Sequence, residues 1–211
     1  MADLKVKRRV LSACQTNCYY VYREGADEIV IIDPGSNGET VYDDVKSLGF
    51  EKVAGILLTH GHGDHTGGAL QLKQLSGARI FAYEDEAEIL RDPEKNLSGW
   101  FGKAYGFEAD EYFRDKQTFS MAGVDFEVIH TPGHTKGGCC YYIPDDKTMF
   151  CGDTIFNCSV GRTDFYSGSM RQLGDSIRER IMTLSDDVKL YSGHGDATTV
   201  GYERKYNPCL G

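Results

Sequence analysis

The sequence predicts a layered α/β fold, and three observations carry that prediction. Segments rich in β-branched and aromatic residues alternate with helical stripes through both halves of the chain. Some of those segments, residues 29–32 and 53–58 among them, are apolar without alternation, the pattern of strands buried on both faces. The length of 211 residues suits one domain spanning 1–211, large enough to bury a core without disulfide staples.

Residues 6–12, 18–23 and 28–32 read as three strands joined by short polar turns, and Asp33-Pro34-Gly35 breaks the third. Val41, Val45 and Leu48 fall at i, i+4 and i+7, a helical stripe that Gly49 is suited to cap. A buried strand is expected at 53–58, a helix at 70–75 and a strand at 79–83. Residues 84–112 show no regular period and carry Trp100, Phe101, Tyr105 and Phe107; they are expected either to form a lid or substrate rim or to pack down. Val124, Phe126, Val128 and His130 alternate with Asp125, Glu127 and Ile129, which gives a half-buried strand. Strands at 138–143 and 148–151 follow. Met170, Leu173, Ile177 and Ile181 mark a helix, opened by a capping box of Ser169 and Gln172. A last strand at 188–191 and a short helix near 199–205 close the chain.

Composition excludes several functions. The longest apolar runs, 18–22 and 139–143, are five residues against the roughly 20 of a membrane helix, so no membrane partner is expected. The first ten residues lack an apolar h-region, and no secretory signal is expected. Lys and Arg number 23 and Asp and Glu 32, so the net charge is 23 − 32 = −9, which repels phosphate backbones; no nucleic-acid partner is expected. The seven cysteines are odd in number and irregular in spacing, which suits free thiols in a reducing cytoplasm. No C-x-x-C pair is present, which argues against a cysteine-built zinc site.

The chemistry lies with the histidines. His60, His62 and His65 fall in the window Thr59-His60-Gly61-His62-Gly63-Asp64-His65, directly after the strand at 53–58. Imidazole and carboxylate together suit zinc or iron. So short a loop cannot easily bring all four side chains to one ion, so two adjacent metals are the natural solution. His134, Asp153 and His194 each follow another expected strand, each beside a glycine. Four strand ends thus deliver His or Asp, and they converge on one edge if the strands run the same way. His130 lies inside its strand without a glycine neighbour and is expected to pack rather than ligate.

These residues resemble the metallo-β-lactamase superfamily: the His60-x-His62-x-Asp64-His65 cluster, His134 in T-P-G-H-T, Asp153 in G-D-T and His194 in S-G-H-G, in order along nearly the whole chain. The resemblance implies a four-layered αββα sandwich with its metal site at one edge. The segments T-H-G-H-G-D-H-T-G-G, T-P-G-H-T-K-G-G, C-G-D-T-I-F and S-V-G-R-T-D-F are similar to the glyoxalase II branch, the hydroxyacylglutathione hydrolases, and the ending around Asn207-Pro208 resembles its short single-domain members. This implies a cytoplasmic zinc-dependent hydrolase of a small anionic thioester such as S-lactoylglutathione. His60, His62 and His134 would hold one of two zinc ions and Asp64, His65 and His194 the other, with Asp153 bridging; iron or manganese could stand in either place. Asp64 and Asp153 are the expected catalytic carboxylates. A hydroxide shared by the metals would attack the carbonyl carbon, and Arg162 would hold a substrate carboxylate. The segment Gly161–Phe165 is also similar to the persulfide dioxygenases, which implies the alternative of one iron on His60, His134 and Asp153; a lactonase of the same superfamily is the other alternative.

Overall fold

The computed structural model describes residues 2–210. Two six-stranded sheets form its centre. The first is built in chain order from β1 (Leu4–Leu11), β2 (Thr16–Arg23), β3 (Glu28–Ile32), β4 (Lys52–Leu57), β5 (Ile80–Tyr83) and β6 (Glu111–Phe113). The first two pairings are antiparallel and the rest parallel. The second contains β7 (Thr118–Met121), β8 (Val124–His130), β9 (Cys139–Ile143), β10 (Thr148–Gly152), β13 (Lys189–Ser192) and β14 (Thr198–Thr199), ordered β14-β13-β10-β9-β8-β7. Between β10 and β13 the chain makes a small hairpin, β11 (Ile155–Phe156) with β12 (Ser159–Val160).

The period-two geometry of a strand divides the core into layers. Ile29 and Ile31 of β3 face one apolar cluster with Val41, Val45 and Leu72; Val30 and Ile32 face another with Val128, Tyr141 and Phe150. The first lies under the helices α1 (Gly38–Ser47) and α3 (Ala69–Ser76), the second between the sheets. A third joins Ile129, Cys140 and Met149 to Leu173, Ile177 and Ile181 of the helical segment that begins with α5 (Met170–Ser176). Helix, sheet, sheet and helix are therefore the four layers of the expected αββα sandwich.

Local signals act as the sequence suggests. Asn37 caps α1 by accepting from the Thr40 N–H, and Gly49 takes a left-handed φ of 89° just past its end. Ser169 caps α5 by accepting from the Gln172 N–H. That helix widens into a π turn at Ile177–Ile181, and the stretch read as irregular holds α4 (Ala87–Arg91) and short 3-10 turns. β6, β7 and the β11–β12 hairpin are too short to carry a legible period. α6 (Val200–Tyr206) closes the chain.

Direction is what matters for the site. β8 and β10 both run antiparallel to β9, so they are parallel to each other, and β13 is parallel to β10. The C-terminal ends of β8, β10 and β13 therefore share one edge. The first sheet is pinned to that edge by hydrogen bonds across the sandwich: Cys139 N–H donates to Thr59 O (2.9 Å), Asn17 N–H to Gly193 O (2.7 Å) and the Tyr141 hydroxyl to Leu58 O (2.8 Å). Thus the end of β4 meets the other three.

Candidate metal centre

His60 lies in a bend just past β4, His62 follows in extended backbone, and Asp64 and His65 sit in the first turn of a short helix, α2 (Gly63–Thr66). His134 lies beyond β8, Asp153 directly beyond β10 and His194 directly beyond β13. All seven side chains meet. One ligand atom each from His60, His62 and His134 lie within 4.8 Å of one another, as do those of Asp64, His65 and His194, and those of His60, His65 and Asp153. Asp153 stands between the two triads: its Oδ2 is 3.6 Å from His134 Nε2 and 3.5 Å from His194 Nε2, and its Oδ1 is 3.2 Å from His65 Nε2. A Cβ on Gly193 would run into Asp153 Oδ1 and lie 2.6 Å from His65, so only glycine leaves this space open. His130 stays outside; its ring stacks on Tyr83 at 4.2 Å and its Nε2 meets the Lys136 carbonyl.

Outer hydrogen bonds fix how the imidazoles point. His65 Nδ1 faces Asp33 Oδ2 at 2.9 Å, His134 Nδ1 faces the Arg162 carbonyl at 2.7 Å and His194 Nδ1 faces the Cys14 carbonyl at 3.0 Å. Those partners only accept, so each Nδ1 carries its proton. In the neutral ring each Nε2 then turns a lone pair inward. His60 Nδ1 faces Thr59 Oγ1 (3.2 Å), whose own proton goes to Asp33 Oδ2 (2.6 Å). His65 Nε2 and His194 Nε2, 3.4 Å apart, then turn lone pairs toward each other, which repel unless a cation lies between them. His62 Nδ1 stands 2.9 Å from His134 Nε2 and either donates a proton to that lone pair or shares a cation with it. Among the described residues, the buried side-chain polar atoms without a hydrogen-bond partner are Asn17 Oδ1, His60 Nε2, His62 Nε2 and Asp153 Oδ1, and the last three belong to this cluster. The donor set fits two divalent cations.

The titration behaviour divides the cluster in the same way. Burial, then the neighbouring imidazoles, hold His60 well below the usual histidine range. Burial and His134 push His62 down to about 3. Burial also opposes charge on His65 and His194, but Asp153 and Asp64 outweigh it, raising His65 well above its usual value and His194 to about 10. His60 and His62 are thus neutral nitrogen donors, while His65 and His194 lie among carboxylates whose charge favours a cation there.

Two buried carboxylates escaped the sequence reading. Asp33 accepts from Thr59 N–H, Thr59 Oγ1 and His65 Nδ1, and so orients one histidine in each triad. It follows β3, parallel to β4, so an acid at a strand end, two residues before a glycine, is the available signal, in a segment that the sequence marks as a strand breaker. Glu86 accepts from Gly61 N–H (2.7 Å), Gly137 N–H (3.0 Å) and the Thr135 hydroxyl, tying the loop of His60 and His62 to that of His134. Burial pushes it up to about 7 against those hydrogen bonds. No sequence pattern announces this residue.

The centre opens into a cavity of about 470 Å³. One wall is apolar, with Leu97, Trp100, Phe101, Phe156, Val160 and Phe165. Arg162 lies at the mouth, with both arms of its guanidinium on Asp164 (2.7 Å each) and its plane 4.0 Å above the Phe165 ring.

Residues 11–194 match the profile of the metallo-beta-lactamase superfamily. A hydroxyacylglutathione hydrolase, GloC of Haemophilus influenzae, is 34% identical over 203 residues, 95% of each chain. The crystal structure of a B3 metallo-beta-lactamase, BLEG-1, superposes with a TM-score of 0.92 at 33% identity, covering 98% of this chain and 99% of that one. TTHA1623, solved in a di-iron-bound form, superposes with a TM-score of 0.84 at 29% identity over 96% of this chain and 99% of its own. The chain belongs to the metallo-beta-lactamase superfamily. Within it, it is a metallo-hydrolase with a histidine-rich metal site.

Proposed function

We propose that the chain hydrolyses a thioester, as the hydroxyacylglutathione hydrolase from Haemophilus influenzae does by its name, with S-lactoylglutathione as the first substrate to try. The observation that carries the reading is Asp153, whose carboxylate stands between the two triads, its Oδ2 near both His134 and His194 and its Oδ1 near His65. His60, His62 and His134 would hold one metal and Asp64, His65 and His194 the other, with zinc the first choice and iron or manganese the alternatives. When bound, such a pair lowers the pKa of water and polarises a carbonyl.

The remaining roles belong to the chain. Asp64 and Asp153 supply negative charge at the floor of the cavity, close to His194 at 3.4 and 3.5 Å. Asp33 and the Arg162 and Cys14 carbonyls hold the imidazoles in the ligating tautomer. A thiolate departs without a proton donor, which suits a site whose carboxylates are ionised: burial opposes charge on Asp64 and Asp153, but His65 and the other imidazoles hold both below the usual range. Neither serine nor cysteine is assigned a nucleophilic role.

The likeness to a B3 metallo-beta-lactamase supports β-lactam cleavage as a second reading. The experiment is metal analysis by emission spectroscopy beside three assays: S-lactoylglutathione turnover, β-lactam turnover, and oxygen uptake with glutathione persulfide. Two metals per chain with thioester turnover is the expected result. One iron with oxygen uptake, or β-lactam turnover alone, would replace it.

A further inference from the structure

The wall of the cavity is built more firmly than a lid. Asn96 is fully buried; its amide donates to the carbonyls of Leu90 (3.3 Å) and Tyr105 (2.9 Å) and its side-chain oxygen accepts from the Ser98 N–H (2.8 Å). Gly63 N–H, in the metal loop, donates to the Asn96 carbonyl at 2.6 Å, and a Cβ on Gly63 would lie 2.7 Å from Ser98 Cα. Tyr105 reaches back to the same loop, its hydroxyl donating to Gly63 O (3.2 Å) and meeting Thr66 Oγ1 (2.8 Å). Residues 96–105 are thus fastened to the loop that carries His60, His62, Asp64 and His65.

That anchorage holds Leu97 in a left-handed conformation, φ 60° and ψ 17°, which a bulky side chain adopts only at a cost in strain. The bend leads straight into the 3-10 turn of Trp100, and Leu97 and Trp100 both face the cavity. Trp100 packs edge-on against Phe165 (5.4 Å), and Phe165 packs edge-on against the ring of His62 (5.7 Å). An unbroken aromatic surface therefore runs from a metal-ligating histidine to solvent, yet Trp100 and Phe101 remain 68% and 43% exposed. Among the described residues lining the cavity, Arg162 is the one arginine or lysine, and its fork is filled by Asp164.

We infer that this surface is a subsite for an aryl or branched alkyl group of the substrate, laid on the joined faces of Trp100 and Phe165 while the scissile carbonyl lies at the metal centre. The inference rests on the thioester reading and narrows it. The apolar group belongs to either half of the thioester, the acyl part or the thiol part, because both leave the same carbonyl. Its burial would cover apolar area that the free protein leaves in water. The backbone that carries Trp100 is already fixed by the Asn96 and Tyr105 anchors, so little backbone ordering opposes binding.

Trp100 is the chain's single tryptophan, so its fluorescence reports occupancy of this subsite directly. Two substrate pairs separate the two halves: S-lactoylglutathione against S-mandeloylglutathione, and lactoyl thioesters of glutathione against those of benzyl mercaptan. A gain of roughly tenfold or more in kcat/KM for the aryl member of one pair is expected, the scale on which apolar pockets discriminate. Trp100→Ala should abolish that gain while sparing turnover of the lactoyl-glutathione substrate, and Trp100→Phe should restore most of it. A non-hydrolysable aryl thioether should shift the wild-type tryptophan emission. Equal kcat/KM within both pairs, or a Trp100→Ala loss of the same size on every substrate, overturns the subsite while leaving thioester hydrolysis intact. Absence of turnover on all of these thioesters strikes at the underlying reading instead, and the thioether titration of Trp100 then judges the subsite alone, with an unshifted emission overturning it.

Discussion

Replacing Asp33 by asparagine should weaken metal binding although Asp33 touches neither triad's inward-facing nitrogens. The backbone N–H of Thr59 donates to Asp33 Oδ1 at 2.8 Å, and a backbone N–H cannot reverse its role. An asparagine must therefore turn its oxygen to Thr59 N and its NH2 toward Thr59 Oγ1 and His65 Nδ1, where the aspartate now accepts at 2.6 and 2.9 Å. His65 Nδ1 then becomes an acceptor, and its proton moves to Nε2, the atom facing Asp153. Thr59 Oγ1, now accepting from the amide, turns its hydroxyl proton to His60 Nδ1 and flips that ring's tautomer as well. Each reversal forfeits a hydrogen bond to a charged group, worth about 1.5–3 kcal/mol. A factor of about 10–100 in affinity is the usual cost of losing such an outer partner. Competition with a chromophoric chelator would measure it, with thermal unfolding of the metal-free protein as the control for folding. Wild-type affinity for both metals in a folded Asp33→Asn variant would refute the account of how the imidazoles are oriented.

Three further outcomes follow from the same geometry. Asp153→Ala should lose at least one metal and nearly all hydrolysis, because the side chain faces both triads; full metal content by emission spectroscopy would contradict a bridging role. Replacing Cys18, Cys139, Cys151 or Cys158 by Ser or Ala should cost stability at the buried first three but preserve turnover by the folded protein; loss of turnover with metals retained would reopen a thiol mechanism. Arg162→Ala should raise KM for anionic thioesters by about tenfold at most, since an exposed guanidinium already shared with Asp164 gains little from a second carboxylate; an equal rise for a neutral thioester would leave Arg162 a structural role only.

How far the sequence discloses the site depends on how local each cause is. The converging His and Asp side chains are legible because the rule behind them is local: a strand ends, a glycine opens the backbone, and a His or Asp follows, as at His134, Asp153 and His194. β3 and β4 are legible for a similar reason, since a strand buried on both faces keeps charge to its ends, as at Glu28 and Lys52, and residues 28–32 match their expected bounds. The alternation at Val124–His130 marked β8 end to end and kept His130 apart from the ligands, correctly, since its ring packs on Tyr83. What stayed hidden is long-range. Glu86 lies 25 residues from Gly61 and 51 from Gly137 in the chain, and only the folded sandwich brings its carboxylate between their amides.

The aromatic stretch after β5 shows why this division matters for function. From sequence it could be a rim or packed filler, and the fold makes it both: Phe107 packs into the outer core beneath the helices, Tyr105 bonds to the metal loop, and Trp100 and Phe101 face the cavity. The parts that fasten the stretch lie next to the metal ligands, so the wall and the centre are one mechanical unit. A change at Asn96 would move Gly63 and Trp100 together, because the Asn96 carbonyl takes the Gly63 N–H while its amide holds the Leu90 and Tyr105 carbonyls. A substitution at these anchors would therefore disturb the cavity wall and the histidine cluster together, through the backbone hydrogen bonds that join them. Side chains that end in the cavity without anchoring anything, Trp100 foremost, are where specificity can vary with the metal centre left in place.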